Sequence, residues 1–151
     1  MLFSCNSHSK KATVSHPVTY RKEKLSSTSE FEITIPDYYK IEKHQGPDFE
    51  VYSLSPSDTS KNFSNGGIYF GGHPQKITPL FEIKLKKDSL ISGLLLGNKI
   101  EWTIYEYDSL FSAQTLLSLD NYLKIHAFTY ATSYSQLDTL IRIMESLKKR
   151  Q

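Results

Sequence analysis

The chain has 151 residues, of which 38% are hydrophobic and 23% charged, so it holds enough apolar material for one folded domain and wholesale disorder is excluded. No run reaches the roughly 18–20 apolar residues that span a bilayer, so no transmembrane helix is predicted. The net charge of +2 and the pI near 8.5 are too mild for a nucleic-acid binder, and the single cysteine excludes an intrachain disulfide framework or a multi-cysteine zinc site.

Basic residues are concentrated near the N-terminus. Residues 1–29 carry a net charge of +4, whereas the remainder carries −2. This segment is rich in Ser and Thr and lacks apolar periodicity, so we predict a flexible basic tether over residues 1–29 and a single domain over residues 30–151. The tether's charge favours an anionic membrane surface; the alternative is a disordered terminus without a role. Its charged residues are Lys10, Lys11, Arg21, Lys22, Glu23 and Lys24.

Cys5, the single cysteine, ends the tetrapeptide Leu-Phe-Ser-Cys and is followed by a polar stretch. The tetrapeptide resembles the lipobox of bacterial lipoproteins, in which an aliphatic residue and two usually small residues precede the cysteine that is lipidated; Phe3 is bulkier than usual. The resemblance implies that lipidated Cys5 holds the domain at the extracytoplasmic surface of a bacterial membrane. The alternative is a chance match in a cytoplasmic protein.

Alternation of polar and apolar residues predicts most of the strands. Residues 37–41 are expected to form a short turn or a single helical turn, and residues 55–65 a loop. Residues 86–97 leave two interpretations open, a short helix or a buried extended run. The predicted strands span residues 30–35, 49–54, 66–72, 80–85, 98–104, 115–119 and 123–131.

A C-terminal helix is predicted over residues 134–149. Ser133 and Gln136 have the spacing of a capping box at its start, and Ser135 and Asp138 offer a second register. The smaller apolar face of the strand at 123–131 is the expected partner of the helix. The sequence therefore predicts an α+β fold, an antiparallel sheet of about six strands with the helix packed on one face. The apolar stripe of the helix is formed by Leu137, Leu140, Ile141, Met144 and Leu147.

The order of these elements resembles that of the PsbP-like fold. The features that carry the resemblance are the Phe-x-Ile-x-Ile-Pro strand with its Tyr-rich turn at 31–39, the strands at 67–70 and 99–105, and the strand and helix at 122–147. Members of this fold class include photosystem accessory subunits, GTPase-regulating proteins and bacterial lipoproteins, most of which bind or scaffold. The resemblance implies a fold; fold analogy supplies no function, and no functional residue is carried over.

The sequence offers no strong catalytic or metal-binding pattern. Its histidines have no partners at metal-ligand spacing, so neither a metal nor a cofactor is predicted. The glycine pairs at 66–67 and 71–72 bracket a strand instead of opening a helix, which excludes a phosphate loop. A small hydrolase that uses His126 or His73 is a weaker alternative. The five histidines are His8, His16, His44, His73 and His126.

Tyrosine is unusually frequent, with ten residues. Several lie on predicted strands opposite the apolar faces, where they would form one aromatic face of the sheet. Such a face suits recognition of a protein or a small ligand; the alternative is that residues 86–97 cover it as ordinary core. We therefore predict a non-enzymatic, membrane-tethered accessory or binding domain, the alternative being a soluble intracellular adaptor of the same fold. The predicted binding residues are Tyr69, Tyr105, Tyr107, His126, Phe128 and Tyr130.

Overall fold

Ten strands and one helix follow one another in a computed structural model that describes residues 17–25, 30–58, 64–75, 77–80 and 83–151. The elements are β1 (Tyr20–Leu25), β2 (Phe31–Pro36), β3 (Tyr39–Gln45), β4 (Phe49–Pro56), β5 (Ser64–Gly71), β6 (Lys87–Leu95), β7 (Asn98–Glu106), β8 (Phe111–Ser118), β9 (Lys124–Ala131), α1 (Tyr134–Glu145) and β10 (Lys148–Lys149). The protein is thus mostly antiparallel sheet with one C-terminal helix, as predicted, but with more strands than the six expected.

Two antiparallel sheets organise the chain. The larger has seven strands in the order β3-β4-β5-β9-β8-β7-β6, and the smaller has three, with β2 between β1 and β10. Because β5 lies in the middle of the large sheet and β6 at its edge, the chain that joins them passes β9, β8 and β7. We call its described residues, 72–75, 77–80 and 83–86, the crossing segment. This crossing decides which part of the large sheet stays accessible.

The helix packs on one face of the large sheet. It begins at the N-cap Ser133, whose Oγ accepts a hydrogen bond from the Gln136 N–H at 3.3 Å, as predicted. Small residues beneath the helix allow close packing; a Cβ on Gly66, for example, would lie 2.7 Å from the Cε of Met144. Each buried Leu or Ile stabilises the fold by about 1.5–3 kcal/mol. The buried residues of the helix and of β9 at this contact are Leu137, Leu140, Ile141, Met144, Ile125, Ala127 and Ala131.

The small sheet lies beside the helix on the same face. Phe31 of β2 stacks on Phe70 of β5, with ring centroids 5.1 Å apart. Ser146, which follows the helix, accepts a hydrogen bond from the Thr34 N–H at 2.9 Å. The helix and the small sheet together therefore cover this face and close the main core.

The predicted tether is wrong for Tyr20–Leu25, which forms β1. This strand pairs with β2 along its length, and Leu25 is fully buried. Because this strand is polar, it shows no apolar alternation from which a strand could be predicted. Its structure depends instead on the ladder hydrogen bonds with β2 and on contacts such as that from Arg21 Nη2 to the Tyr39 carbonyl at 2.6 Å. The rest of the predicted tether, apart from residues 17–19, lies outside the described residues, as does Cys5.

Four other sequence predictions are corrected. Of the short turn or single helical turn predicted at 37–41, a turn is observed at 37–38, and the rest is wrong because residues 39–45 form strand β3. Residues 80 and 83–85 belong to no strand, although a strand was predicted there.

The segment at 86–97 holds an exposed edge strand, β6, instead of a helix or a buried run. The helix ends at Glu145, short of the predicted residue 149, because the chain turns there to form β10. Among the described residues, no helix has the length and apolar character needed to cross a bilayer.

Candidate ligand-binding site

The face of the large sheet opposite the helix carries the predicted aromatic residues. Strand register aligns Tyr69 of β5 with His126 of β9, and Tyr130 of β9 with Ser112 of β8 and then Tyr105 of β7. Partners in register point to the same side of an antiparallel sheet. We call this side, on strands β4, β5, β9, β8 and β7, the aromatic face.

The crossing segment covers the part of the aromatic face on β7 and β8. The Leu80 N–H donates a hydrogen bond to the Tyr107 hydroxyl at 2.7 Å, and Gln114 Nε2 donates to the Thr78 carbonyl at 3.2 Å. Tyr105 and Tyr107 are buried, with 7% and 1% of their surfaces exposed. Both were predicted as binding residues; the structure buries them in the interior, because the crossing passes over this half of the sheet.

A cavity of about 870 Å³ opens between the crossing segment and strands β4, β5 and β9. This volume falls in the range of about 300–1,000 Å³ that is usual for small-molecule sites. The other four predicted binding residues line the cavity: Tyr69, His126, Phe128 and Tyr130.

The aromatic rings of the cavity lie low against the sheet because glycines stand beside them. A Cβ on Gly67 would collide with the outer end of the Phe128 ring, and one on Gly71 would collide with the hydroxyl end of Tyr69. Tyr69 also stacks on Phe49, with centroids 5.7 Å apart and an interplanar angle of 21°. The result is a broad floor of aromatic carbon.

His126 is a buried, neutral group at this floor. Gln114 donates from Nε2 to the Thr78 carbonyl, so its Oε1 faces His126 Nε2 at 3.3 Å as an acceptor. His126 therefore donates from Nε2 and keeps a lone pair on Nδ1. Burial lowers the pKa of His126, which favours the neutral ring. Its Nε2 thus bonds to the Gln114 amide, and His73, the other histidine of the hydrolase hypothesis, is exposed and lines the same cavity.

The buried state of His126 predicts a pH dependence of stability. Its folded-state pKa lies below the usual 6.5, so near that pH the unfolded chain binds a proton that the folded chain does not. We expect the free energy of unfolding to fall as the pH drops below about 6.5. Urea unfolding at about pH 7.5 and about pH 5.5 measures this, with His126→Gln as the comparison. A variant that lost as much stability at the lower pH as the natural chain would contradict the assignment.

Formal charge at the cavity is confined to one carboxylate among the described lining residues. Asp48 stands there at the turn between β3 and β4, and it forms no ion pair with any residue that the structure describes. Across the same described ranges, no cluster of three His, Cys, Asp or Glu residues could hold a metal ion. The cavity is therefore mainly aromatic, with a few neutral polar groups and one acid.

Several lining residues fall outside the predicted set. Phe49 and Val51 of β4 belong to the cavity, and their alternation with Tyr52 and Leu54 was visible in the sequence. The signal that they join the aromatic face is the pairing of Val51 with Tyr69, which needs the strand order. The crossing segment adds Thr78, Pro79 and Leu80, and no local pattern predicts which strands they pass.

No protein-family model, curated protein or solved structure matches the chain. The interpretation of the cavity therefore depends on its geometry and chemistry.

Proposed function

We propose that this protein is a non-enzymatic binding domain that takes a small, mostly apolar ligand in the cavity of the aromatic face. The observation that carries the proposal is an 870 Å³ concavity whose floor is built by Tyr69, His126, Phe128 and Tyr130. Apolar concavities with a few convergent polar groups are the usual form of ligand sites. The polar residues His126, Gln114 and Thr78 line the cavity and are hydrogen-bonded to one another, and His126 keeps a lone pair on Nδ1.

The accessibility of the rings also favours ligand binding over simple packing. Phe128 and Tyr130 stay partly exposed, whereas Tyr105 on the same face is buried. Burying an aromatic ring is among the larger gains available to a protein surface. A ligand that fills the cavity would bury both the Phe128 and the Tyr130 rings, and this burial would contribute favourable binding free energy.

Two further parts of the proposal concern location and fold. We propose that lipidated Cys5 tethers the domain to a bacterial membrane surface, and that the domain is PsbP-like in fold. An antiparallel sheet with a C-terminal helix on one face supports the second part. The genomic bases upstream of Met1 test the first: an in-frame basic and apolar segment supports the anchor, whereas a stop codon favours the soluble intracellular adaptor.

Ligand binding is tested with N-phenyl-1-naphthylamine, an uncharged apolar dye whose fluorescence rises in apolar sites. We expect saturable binding to the natural chain. Phe128→Ala should weaken it about tenfold, because loss of an aromatic contact and its buried area is worth about 1.4 kcal/mol.

The matched control is Tyr122→Ala, which removes a ring that is 85% exposed and lies outside the cavity. It should leave the affinity unchanged. Dye binding that is absent, or that falls equally in the two variants, would remove the support for a site on the aromatic face.

A further inference from the structure

We infer that the ligand of this cavity contains a flat aromatic ring system without negative charge, and that the ring stacks on Phe128. The inference rests on the proposed function and specifies its ligand class. It combines three observations: the position of the Phe128 ring over Gly67, the angles between this ring and those of His126 and Tyr130, and the charge of the residues that line the cavity.

The Phe128 ring is held low by the residue beside it. Gly67 is its partner in register on β5, and the outer end of the ring occupies the space that a side chain at position 67 would need. Because Phe128 is only partly buried and lines the cavity, the ring presents surface to a ligand. The absence of a side chain at position 67 therefore allows the Phe128 ring to lie close to strand β5.

None of the described rings stacks in parallel on Phe128. His126 is tilted by 46° at 5.4 Å and Tyr130 by 57° at 6.3 Å. Tyr69 differs, because Phe49 already stacks on it at 21°. Offset parallel stacking is a favoured arrangement of aromatic pairs, so a flat ligand ring completes the contact that Phe128 lacks among these neighbours.

Charge at the cavity selects against anions. With the two lining histidines, His73 and His126, neutral, Asp48 is the one charged group among the described lining residues, and its carboxylate repels a negative ligand. His126 commits its Nε2 proton to Gln114 and offers a lone pair on Nδ1. An anion would thus lose hydration without gaining a cationic partner from these groups, whereas a cation would gain from the carboxylate and the rings.

Three probes of one carbon skeleton test ring and charge separately. They are 2-naphthalenemethanol, its fully saturated decalin counterpart and the anion 2-naphthoate, each measured by displacement of N-phenyl-1-naphthylamine and by calorimetry. We expect the flat alcohol to bind about fivefold more tightly than the saturated one, as aromatic pairing predicts. The carboxylate should bind about tenfold more weakly than the flat alcohol.

Two adjacent glycines provide matched variants of the floor. Gly67→Ala displaces the Phe128 ring and should abolish the preference for the flat alcohol. Gly66→Ala points to the opposite face of the same strand, where its Cβ meets the flexible end of Met144 at 2.7 Å and the Phe128 backbone carbonyl at 3.0 Å. It should keep that preference, because both contacts lie on the face away from the Phe128 ring. If circular dichroism shows that Gly67→Ala is not folded, Phe128→Leu replaces it as the test variant. Phe128→Leu keeps an apolar side chain but removes the ring, so it should also lose the preference for the flat alcohol.

The outcomes separate the inference from the proposed function. Equal affinity for the flat and saturated alcohols overturns the stacking inference while ligand binding stands. Binding of 2-naphthoate as tight as that of the alcohol overturns the charge inference. Equal loss of preference in the two glycine variants overturns the role of Gly67. Failure of every probe, the dye included, removes the proposed function itself.

Discussion

Replacing Leu140 with alanine is expected to lower the free energy of unfolding by about 2–5 kcal/mol. Leu140 is fully buried where the helix meets the large sheet, beside Met144 and the small side chains of β9. Truncation removes apolar contact and leaves a cavity that a helix packed on rigid strands cannot fill by collapse. Urea unfolding followed by the fluorescence of Trp102, the single tryptophan and itself fully buried, measures the loss.

Arg142→Ala on the same helix is the control. Its side chain is 77% exposed and forms an ion pair with Asp138 across one helical turn, so the expected loss is much smaller. Similar losses for Leu140→Ala and Arg142→Ala would mean that the helix does not dock on the sheet as described.

Replacing Tyr107 with alanine is expected to cost about 3–5 kcal/mol of stability, although the residue lies outside the main core. Its side chain is 1% exposed, and its hydroxyl accepts the hydrogen bond that fixes Leu80 in the crossing segment. Tyr107→Phe keeps the ring and removes that acceptor, so it should cost about 1 kcal/mol. Urea unfolding distinguishes the two losses.

The exposed Tyr122→Ala variant again provides the baseline, with little expected change. If Tyr107→Ala were as stable as Tyr122→Ala, the crossing segment would not cover β7 and β8, and Tyr107 would return to the candidate binding residues. The Tyr107→Phe variant should also weaken dye binding, because Leu80 forms part of the cavity wall.

Local patterns predicted the helix well and the polar strands poorly. The Ser133 cap and the stripe from Leu137 to Met144 are properties of adjacent residues, and both are observed. Strand β1 has the sequence of a polar linker, yet it pairs fully with β2. Its structure depends on a partner strand, and strand preference is largely set by such pairing and burial.

The accessibility of residues on the aromatic face also could not be predicted from local sequence patterns. Alternation along each strand is local, so the sharing of one face by Tyr105, Phe128 and Tyr130 was predictable. Which of them stays accessible depends on the route of the crossing segment, and that route follows from the position of β9 between β5 and β8. Strand order is a non-local property, so Tyr105 was grouped with Phe128 although it is buried.

The most direct test of a ligand site on the aromatic face is a methyl NMR titration with 2-naphthalenemethanol, using protein labelled at its valine and isoleucine methyl groups. Val51 and Ile83 line the cavity, whereas Ile68 and Ile125 are fully buried under the helix on the other face. We expect saturable shifts at Val51 and Ile83 and unchanged signals from Ile68 and Ile125. Shifts confined to Ile68 and Ile125, or none at any methyl group, would contradict a binding site on this face.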